Sequence, residues 1–190
     1  MKIGVLNIQG DVSEHFQMIK HLHGKYNVDP VNVKTIENLH GLSGLIIPGG
    51  ESTVIYKILK KSGMYEKIYE MARSGMPVMG TCAGAILLSS DTGDSRVNGM
   101  NLIDITIKRN AYGRQINSFI KSINIEDIGN FNAVFIRAPG IELPGNSTVM
   151  ATVNGSPVMV REDNILAMTF HPELTGDNRI HEYFVSMIDH

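Results

Sequence analysis

The sequence predicts an α/β fold with a mostly parallel central sheet, and three observations support this prediction. Short apolar runs alternate with amphipathic helical segments through the first half of the chain. Turn-forming glycines or prolines follow several of these runs. The chain has 190 residues and is 43% hydrophobic, which suits one domain with a sizeable core. We therefore expect a single flavodoxin-like, three-layer domain over residues 1–190, with a strand-rich second half.

The elements of the first half follow from the hydrophobic pattern. Short β-branched runs indicate buried strands, and apolar residues three or four apart indicate helices. Asp11 and Glu14 have the spacing of a capping box at the start of the first helix. Strands are expected at Lys2–Ile8, Val28–Ile36, Gly44–Ile47 and Pro77–Gly80, and helices after Asp11, from Ser52 to about Arg73 with a break at Gly63, and over Ala85–Leu88.

The second half contains short apolar runs separated by turn residues, which is more typical of a β-meander than of repeated βα units. A last amphipathic helix is expected from about Asn178 to Ile188. The expected strands are Leu102–Ile107, Phe119–Ile125, Ala133–Ile136, Thr148–Val153, Pro157–Val160 and Ile165–Phe170.

Composition excludes several classes of protein. A formal net charge of −2 lacks the strongly basic character of a nucleic-acid binder. The longest apolar runs are far shorter than the roughly 20 residues that cross a bilayer, so neither nucleic acid nor membrane is expected as a partner. A single cysteine, Cys82, excludes an internal disulfide and a thiolate-rich zinc site. We expect a cytoplasmic protein without a metal site.

Cys82 lies in the segment Gly80-Thr81-Cys82-Ala83-Gly84, between a predicted strand and a predicted helix. This pattern is typical of a nucleophile elbow, in which flanking glycines allow a tight turn that raises the side chain above the sheet. The following helix directs its N-terminal dipole at the sulfur, and the Ala83 N–H could donate to an oxyanion. The alternative is a buried structural cysteine between two packing glycines.

His171 is the candidate base, because it follows the predicted strand Ile165–Phe170 and precedes Pro172 and Glu173. Proline favours an extended residue before it, and residues two apart in an extended segment point the same way. The Glu173 carboxylate could then orient the His171 ring, as in a catalytic triad. The alternative is a partly exposed turn. The other histidines are expected at the surface: His15, His21, His23, His40, His181 and His190.

Two further regions carry polar groups at predicted strand ends. The adjacent glycines of PGGEST (48–53) could bring backbone N–H groups close to a substrate oxygen, although a simple turn capped by Ser52 fits equally well. Arg109 and Arg137 each lie near the end of a strand, where a guanidinium could bind a carboxylate. Surface arginines in turns are the alternative.

Taken together, five segments resemble the class I (triad) glutamine amidotransferases: PGGEST, GTCAG (80–84), RNAYGRQ (109–115), FIRAP (135–139) and FHPELT (170–175). PGGEST with RNAYGRQ and FIRAP is most similar to the glutaminase subunits of pyridoxal 5′-phosphate synthase. The opening GVLNIQGDVSEH (4–15) is also similar to the start of those subunits, so the resemblance spans nearly the whole chain.

The resemblance implies hydrolysis of L-glutamine, with ammonia channelled to a separate synthase subunit in a hetero-oligomer. It implies Cys82 as nucleophile, His171 as general base and Glu173 as the third triad member. No cofactor is implied for this subunit. The implied glutamine contacts are Gly50, Glu51, Ser52, Arg109, Ile136 and Arg137, and the implied oxyanion hole is the N–H groups of Gly50 and Ala83.

Two other hypotheses stay open from the sequence. The first is a flavodoxin-like binding or regulatory module whose cysteine is a redox sensor or a core residue. Such a module has no need of a His-x-Glu pair at a strand end. The second is the same triad serving a different amidotransferase partner or acting as a γ-glutamyl hydrolase.

Overall fold

A computed structural model describes residues 1–108 and 118–188 of the chain. Within these ranges there are twelve strands and six α-helices. The strands are β1 (Lys2–Leu6), β2 (Asp29–Val33), β3 (Gly44–Ile47), β4 (Val78–Thr81), β5 (Ser89–Asp91), β6 (Ile103–Lys108), β7 (Ser118–Ile125), β8 (Gly129–Ile136), β9 (Gly140–Leu143), β10 (Thr148–Val153), β11 (Ser156–Glu162) and β12 (Ile165–Met168). The helices are α1 (Val12–His21), α2 (His23–Tyr26), α3 (Ser52–Ser62), α4 (Met64–Arg73), α5 (Ala83–Leu88) and α6 (Arg179–Ser186).

A seven-stranded sheet with the order β10-β11-β12-β4-β3-β1-β2 organises the fold. The five strands from β12 to β2 are parallel, β11 pairs antiparallel with β12, and β10 pairs antiparallel with β11 at the edge of the sheet. Strands β5, β6 and β9 form a smaller sheet, and β7 and β8 form a hairpin. The predicted α/β class with a mostly parallel central sheet is confirmed.

Side chains of the central sheet alternate between two apolar layers. Leu45 and Ile47 of β3 pack into the layer that contains α3, α4 and α5. Ile46, between them, packs into the opposite layer with residues of α1 and α6. Because successive side chains of a strand point to opposite faces, a continuous apolar strand is buried on both sides. Each fully buried Leu or Ile contributes about 1.5–3 kcal/mol to folding.

Several elements match the sequence expectation closely. β3 has the predicted bounds, and the predicted helix break at Gly63 is present, where φ is +73° and α3 gives way to α4. The short strands β5 and β9 were not predicted, because their sequences, SSD and GIEL, lack the continuous apolar run that marks β3. Within the described ranges, no helix combines the length and apolar character needed to cross a membrane.

The predicted capping box at the start of α1 is wrong. Asp11 is the N-cap residue, but its side chain makes no capping hydrogen bond. Its carboxylate Oδ2 lies instead 3.2 Å from Nδ1 of His171, at the end of β12. A tertiary contact therefore takes the place of the local one.

Strands β3, β4 and β12 are parallel neighbours, so their carboxyl ends lie together at one edge of the sheet. Clefts in open α/β sheets form at this edge. The segments that leave it carry Gly49–Gly50 after β3, Cys82 after β4 and His171 after β12. This arrangement brings distant parts of the chain to a single location.

Candidate active site

Cys82 occupies a strained turn between β4 and α5. Its φ is +50° and its ψ is −104°, a backbone conformation that non-glycine residues rarely adopt and that costs about 1–3 kcal/mol. The Cys82 N–H donates to the Met168 carbonyl of β12 at 2.9 Å, which holds the turn against the sheet. The residue is 8% exposed, so most of it is buried, although it lines an open cleft.

The flanking glycines allow the elbow to close tightly. A Cβ built on Gly80 would lie 2.7 Å from the Gly84 carbonyl carbon, and one on Gly84 would overlap the Ile47 carbonyl oxygen of β3. Both approaches are closer than a real side chain permits, so helix α5 can pack directly on β3 and β4 only because these residues lack a Cβ.

His171 and Glu173 form a buried hydrogen-bonded pair. Nδ1 of His171 donates to Oε1 of Glu173 at 2.8 Å, and both residues are at most 4% exposed. The predicted proximity is therefore found, but its local cause differs. Pro172–Leu174 form a short 3-10 helix rather than an extended segment, and the His171 N–H is held by the Val134 carbonyl of β8 at 2.8 Å.

Burial opposes a positive charge on His171, but its neighbours outweigh that effect. Hydrogen bonds with Cys82 and Glu173, together with the negative charges of those two groups, raise the pKa of His171 to about 10. Burial raises the pKa of Glu173, and the hydrogen bond and charge of His171 oppose that rise. The raised pKa of His171 favours an imidazolium, and the positive charge of that imidazolium opposes the effect of burial on Glu173.

Asp11, His171 and Glu173 also place three potential metal-ligand atoms within 4.8 Å of one another. Nδ1 of His171 already donates its proton to Glu173, whereas a metal ligand must be deprotonated at that nitrogen. The chemistry of the three groups therefore fits a hydrogen-bonded cluster better than a metal site.

The Gly49–Gly50 turn is held by residues from elsewhere in the chain. A Cβ on Gly49 would lie 2.5 Å from Cε1 of His171, and a Cβ on Gly10 would overlap the Gly49 carbonyl oxygen. Oε1 of Gln9 accepts a hydrogen bond from the Glu51 N–H at 3.0 Å. The segment before α1 therefore supports the glycine turn from outside.

A cleft with a volume of about 210 Å³ opens beside Cys82. Its wall includes five of the predicted substrate or oxyanion residues, together with Ile86 and Pro139, which the sequence did not single out. Arg137 enters the wall with φ at +42°, another strained residue at this edge. Ile136 ends β8 immediately before Arg137 and is 37% exposed, and Arg109 lies outside the described residues. The predicted residues in the wall are Gly50, Glu51, Ser52, Ala83 and Arg137.

Two of the histidines expected at the surface are wholly buried. His15 of α1 and His181 of α6 are 0% exposed and lie behind Glu173. A signal for His15 was present in the sequence, since it falls three residues after Val12 and four before Ile19, on the apolar face of α1. That surface expectation is wrong for both residues.

The described geometry suits attack on a carbonyl carbon. A nucleophile, a histidine beside it, and a carboxylate that orients the histidine are the parts of an acyl-transfer site. The adjoining cleft has polar groups at its wall and is large enough for a small substrate.

Comparison with known sequences agrees with this geometry. Residues 5–190 match the sequence model of a family described as the SNO glutamine amidotransferase family. The protein named pyridoxal 5′-phosphate synthase subunit PdxT of Picrophilus torridus is 56% identical over 188 residues, covering 99% of this chain and 98% of that protein. The protein of the same name from Thermoplasma volcanium is also 56% identical, with 98% and 94% covered.

Solved structures give the same result at the level of the fold. A crystal structure titled as a glutamine amidotransferase superposes with a TM-score of 0.92 at 38% identity, covering 99% of both chains. A chain from the structure of PurLQS from Thermotoga maritima superposes with a TM-score of 0.73 at 16% identity, covering 97% of both chains. The second likeness concerns the fold alone.

Proposed function

The chain belongs to the SNO glutamine amidotransferase family, and we propose that it hydrolyses L-glutamine to L-glutamate and ammonia. The observation that carries this proposal is the strained Cys82 in the wall of the cleft, beside a His171 that Glu173 orients. The 56% identical relatives named as subunits of pyridoxal 5′-phosphate synthase extend it. The ammonia is delivered to a separate synthase subunit that makes pyridoxal 5′-phosphate, in a hetero-oligomer.

In the first half-reaction, the Cys82 thiolate forms a bond from Sγ to the side-chain carboxamide carbon of glutamine. The N–H groups of Gly50 and Ala83 stabilise the resulting oxyanion. Protonated His171 then gives its proton to the amide nitrogen, the C–N bond breaks, and ammonia leaves. A glutamyl thioester remains on Cys82, and His171 is neutral. The high pKa of His171 supports this proposal, because the proton to be donated is already present before the substrate reacts.

In the second half-reaction, neutral His171 takes a proton from water while the water oxygen attacks the thioester carbon. The C–S bond breaks, so glutamate is released and the Cys82 thiolate and the His171 imidazolium return. Glu173 accepts the hydrogen bond from Nδ1 throughout, which keeps Nε2 of the ring directed at the reaction.

The cleft wall suggests how glutamine is held. We assign the polar groups of Glu51, Ser52 and Arg137 to binding of the substrate, since a guanidinium can pair with its α-carboxylate. Ile136 and Arg109 belong to the same proposal through the family resemblance.

We also propose that residues 1–190 form one flavodoxin-like, three-layer domain in the cytoplasm, with its second half rich in strands. The order of the five parallel strands supports this assignment, because numbered along the chain it reads 2-1-3-4-5. The helices on both faces of the sheet support the three layers, and strands β6 to β12 support the strand-rich half.

The proposed function is tested by ammonia release from glutamine, with the purified chain and a synthase subunit combined. We expect Cys82→Ala to reduce kcat by about a thousandfold or more, because no other cysteine is present in the chain. A glutamine-analogue electrophile should label the wild type covalently, so that its mass increases by one label per chain, and should leave the mass of Cys82→Ala unchanged.

Full activity of Cys82→Ala would contradict the mechanism. Absence of both labelling and ammonia release in the wild type, with the synthase subunit present, would instead favour a binding module. Glutaminase activity combined with failure to bind the synthase subunit would point to a different amidotransferase partner.

A further inference from the structure

Behind Glu173, two buried histidines continue the line of polar groups that starts at Cys82. Nε2 of His15 lies 3.2 Å from Oε2 of Glu173, whereas His171 is hydrogen-bonded to the other carboxylate oxygen, Oε1. Nδ1 of His15 lies 2.9 Å from Nε2 of His181. Both rings are 0% exposed and come from different helices, α1 and α6. Such buried polar groups are costly unless they are hydrogen-bonded to one another.

The partners of each nitrogen determine where the protons lie. Oε2 of Glu173 is a buried acceptor without a well-aligned donor in the described part of the chain, and a proton on Nε2 of His15, 3.2 Å away, would satisfy it. Nδ1 of His15 must then accept, and Nε2 of His181 must donate. This leaves Nδ1 of His181 as an unprotonated atom, which fits its lack of a hydrogen-bond partner, since an orphaned buried N–H is rarer than an orphaned acceptor.

Both rings are neutral in this arrangement. Burial lowers the pKa of His15 well below its ordinary value, and the charges of His181 and His171 lower it further. Burial lowers the pKa of His181 to about 3. A neutral His15 can donate to Glu173 without adding a second positive charge beside the His171 imidazolium.

His15 also contacts the strand that carries the elbow. Its Nε2 lies 3.3 Å from Oγ1 of Thr81, the residue immediately before Cys82. His15 is therefore in contact with both the carboxylate that orients His171 and the last residue of β4. Asp11, at the start of the same helix, approaches His171 from a more exposed position, with 38% of its side chain exposed.

We propose that His15 is a positioning residue, which donates a hydrogen bond from Nε2 to Oε2 of Glu173 and is itself fixed by His181. Glu173 then accepts one hydrogen bond at each oxygen, so its carboxylate plane is fixed and His171 is held toward Cys82. The catalytic triad thus becomes part of a row of five polar side chains that connects the sheet edge to helices α1 and α6. The five are Cys82, His171, Glu173, His15 and His181. This inference rests on the proposed glutaminase function.

Two amide substitutions at position 15 separate the roles of the two ring nitrogens. The amide nitrogen of glutamine reaches about as far as Nε2 of histidine, whereas the amide of asparagine reaches only about as far as Nδ1. His15→Gln can therefore still donate to Glu173, and His15→Asn cannot. His21→Asn is the matched control, because His21 is exposed at the end of the same helix.

We expect His15→Asn to lower kcat for ammonia release by about tenfold or more, with KM for glutamine changed by less than about twofold. His15→Gln should recover kcat to within about threefold of the wild type, and His21→Asn should match the wild type. Measurements use the full chain with a synthase subunit, on samples shown to be folded by thermal unfolding.

Equal kcat values for folded His15→Asn and the wild type would overturn the proposal. If the variants do not fold, ¹⁵N chemical shifts of the His15 ring in the wild type decide: a proton on Nε2 supports the proposal, and one on Nδ1 overturns it. Cys82→Ala is assayed in parallel. If it stays active, the glutaminase mechanism fails, whereas its inactivity beside a fully active His15→Asn rejects only the role of His15.

Discussion

The two glycine-containing turns at the edge of the sheet are built in different ways. In the elbow after β4, Gly80 is enclosed by Gly84 and Leu88, which lie in the same short segment. In the turn after β3, Gly49 is enclosed by His171 and Cys82, and a Cβ on Gly10 would overlap its carbonyl. The close approach around Gly80 therefore involves residues of the elbow's own segment, whereas the close approaches around Gly49 involve distant segments.

Because of this difference, we expect changes in the elbow to affect the stability of the fold and changes in the glycine turn to affect the cleft. The elbow joins a central strand to a buried helix, so a change there disturbs the core. The glycine turn is supported by the segment before α1, where the Gln9 side chain makes a single hydrogen bond to Glu51. Weakening that support should affect the shape of the cleft more than the stability of the fold.

The largest effect is expected from Gly84→Ala. The added Cβ would overlap the Ile47 carbonyl oxygen, which belongs to a central strand and cannot move freely. We expect a loss of about 3 kcal/mol in the free energy of unfolding, measured by urea denaturation, together with loss of glutaminase activity. Gly24→Ala is the control, because its Cβ would meet nothing within 4 Å, and it should be neutral or slightly stabilising. An unchanged stability for Gly84→Ala would show that the elbow can relax.

A smaller effect for each pH unit is expected from the titration of His171, which contacts both turns. Its pKa in the folded protein is about 10, above the ordinary value of 6.5. The imidazolium therefore contributes stability that is complete below about pH 6.5 and is lost as pH rises toward 10. The stability advantage of the wild type over His171→Gln should fall across this window, by at most about 1.4 kcal/mol per pH unit for one proton. A difference that does not depend on pH would contradict the raised pKa.

The smallest effect on stability is expected from Gln9→Ala. Loss of the hydrogen bond to the Glu51 N–H should loosen the glycine turn and raise KM for glutamine by about fivefold, with a change of less than about 1 kcal/mol in the free energy of unfolding. Gln17→Ala, an exposed glutamine on α1, is the matched control and should leave KM unchanged. If Gln9→Ala destabilised the fold as strongly as Gly84→Ala, the contrast between the two turns would be lost.

Much of the fold could be predicted because the relevant forces are local. Continuous apolar runs specify strands buried on both faces, as at Gly44–Ile47, and Gly63 ends a helix because it adopts a positive φ without a Cβ penalty. The two-glycine elbow around Cys82 is also a local pattern, since its tight turn depends on two glycines only four residues apart. The strands β5 and β9 escaped prediction because their pairing partners, rather than their own sequences, make them strands.

By itself, the sequence determined the α/β class, the elbow and the family, because periodicity and short motifs carry that information. Only the tertiary structure decided what surrounds Glu173. Asp11 contacts His171 instead of capping α1. His15 and His181, which were predicted at the surface, lie in the interior behind the triad. The physical reason is that the burial and proton position of a polar side chain depend on the element packed against it, and α1, α6 and β12 meet only when the chain has folded.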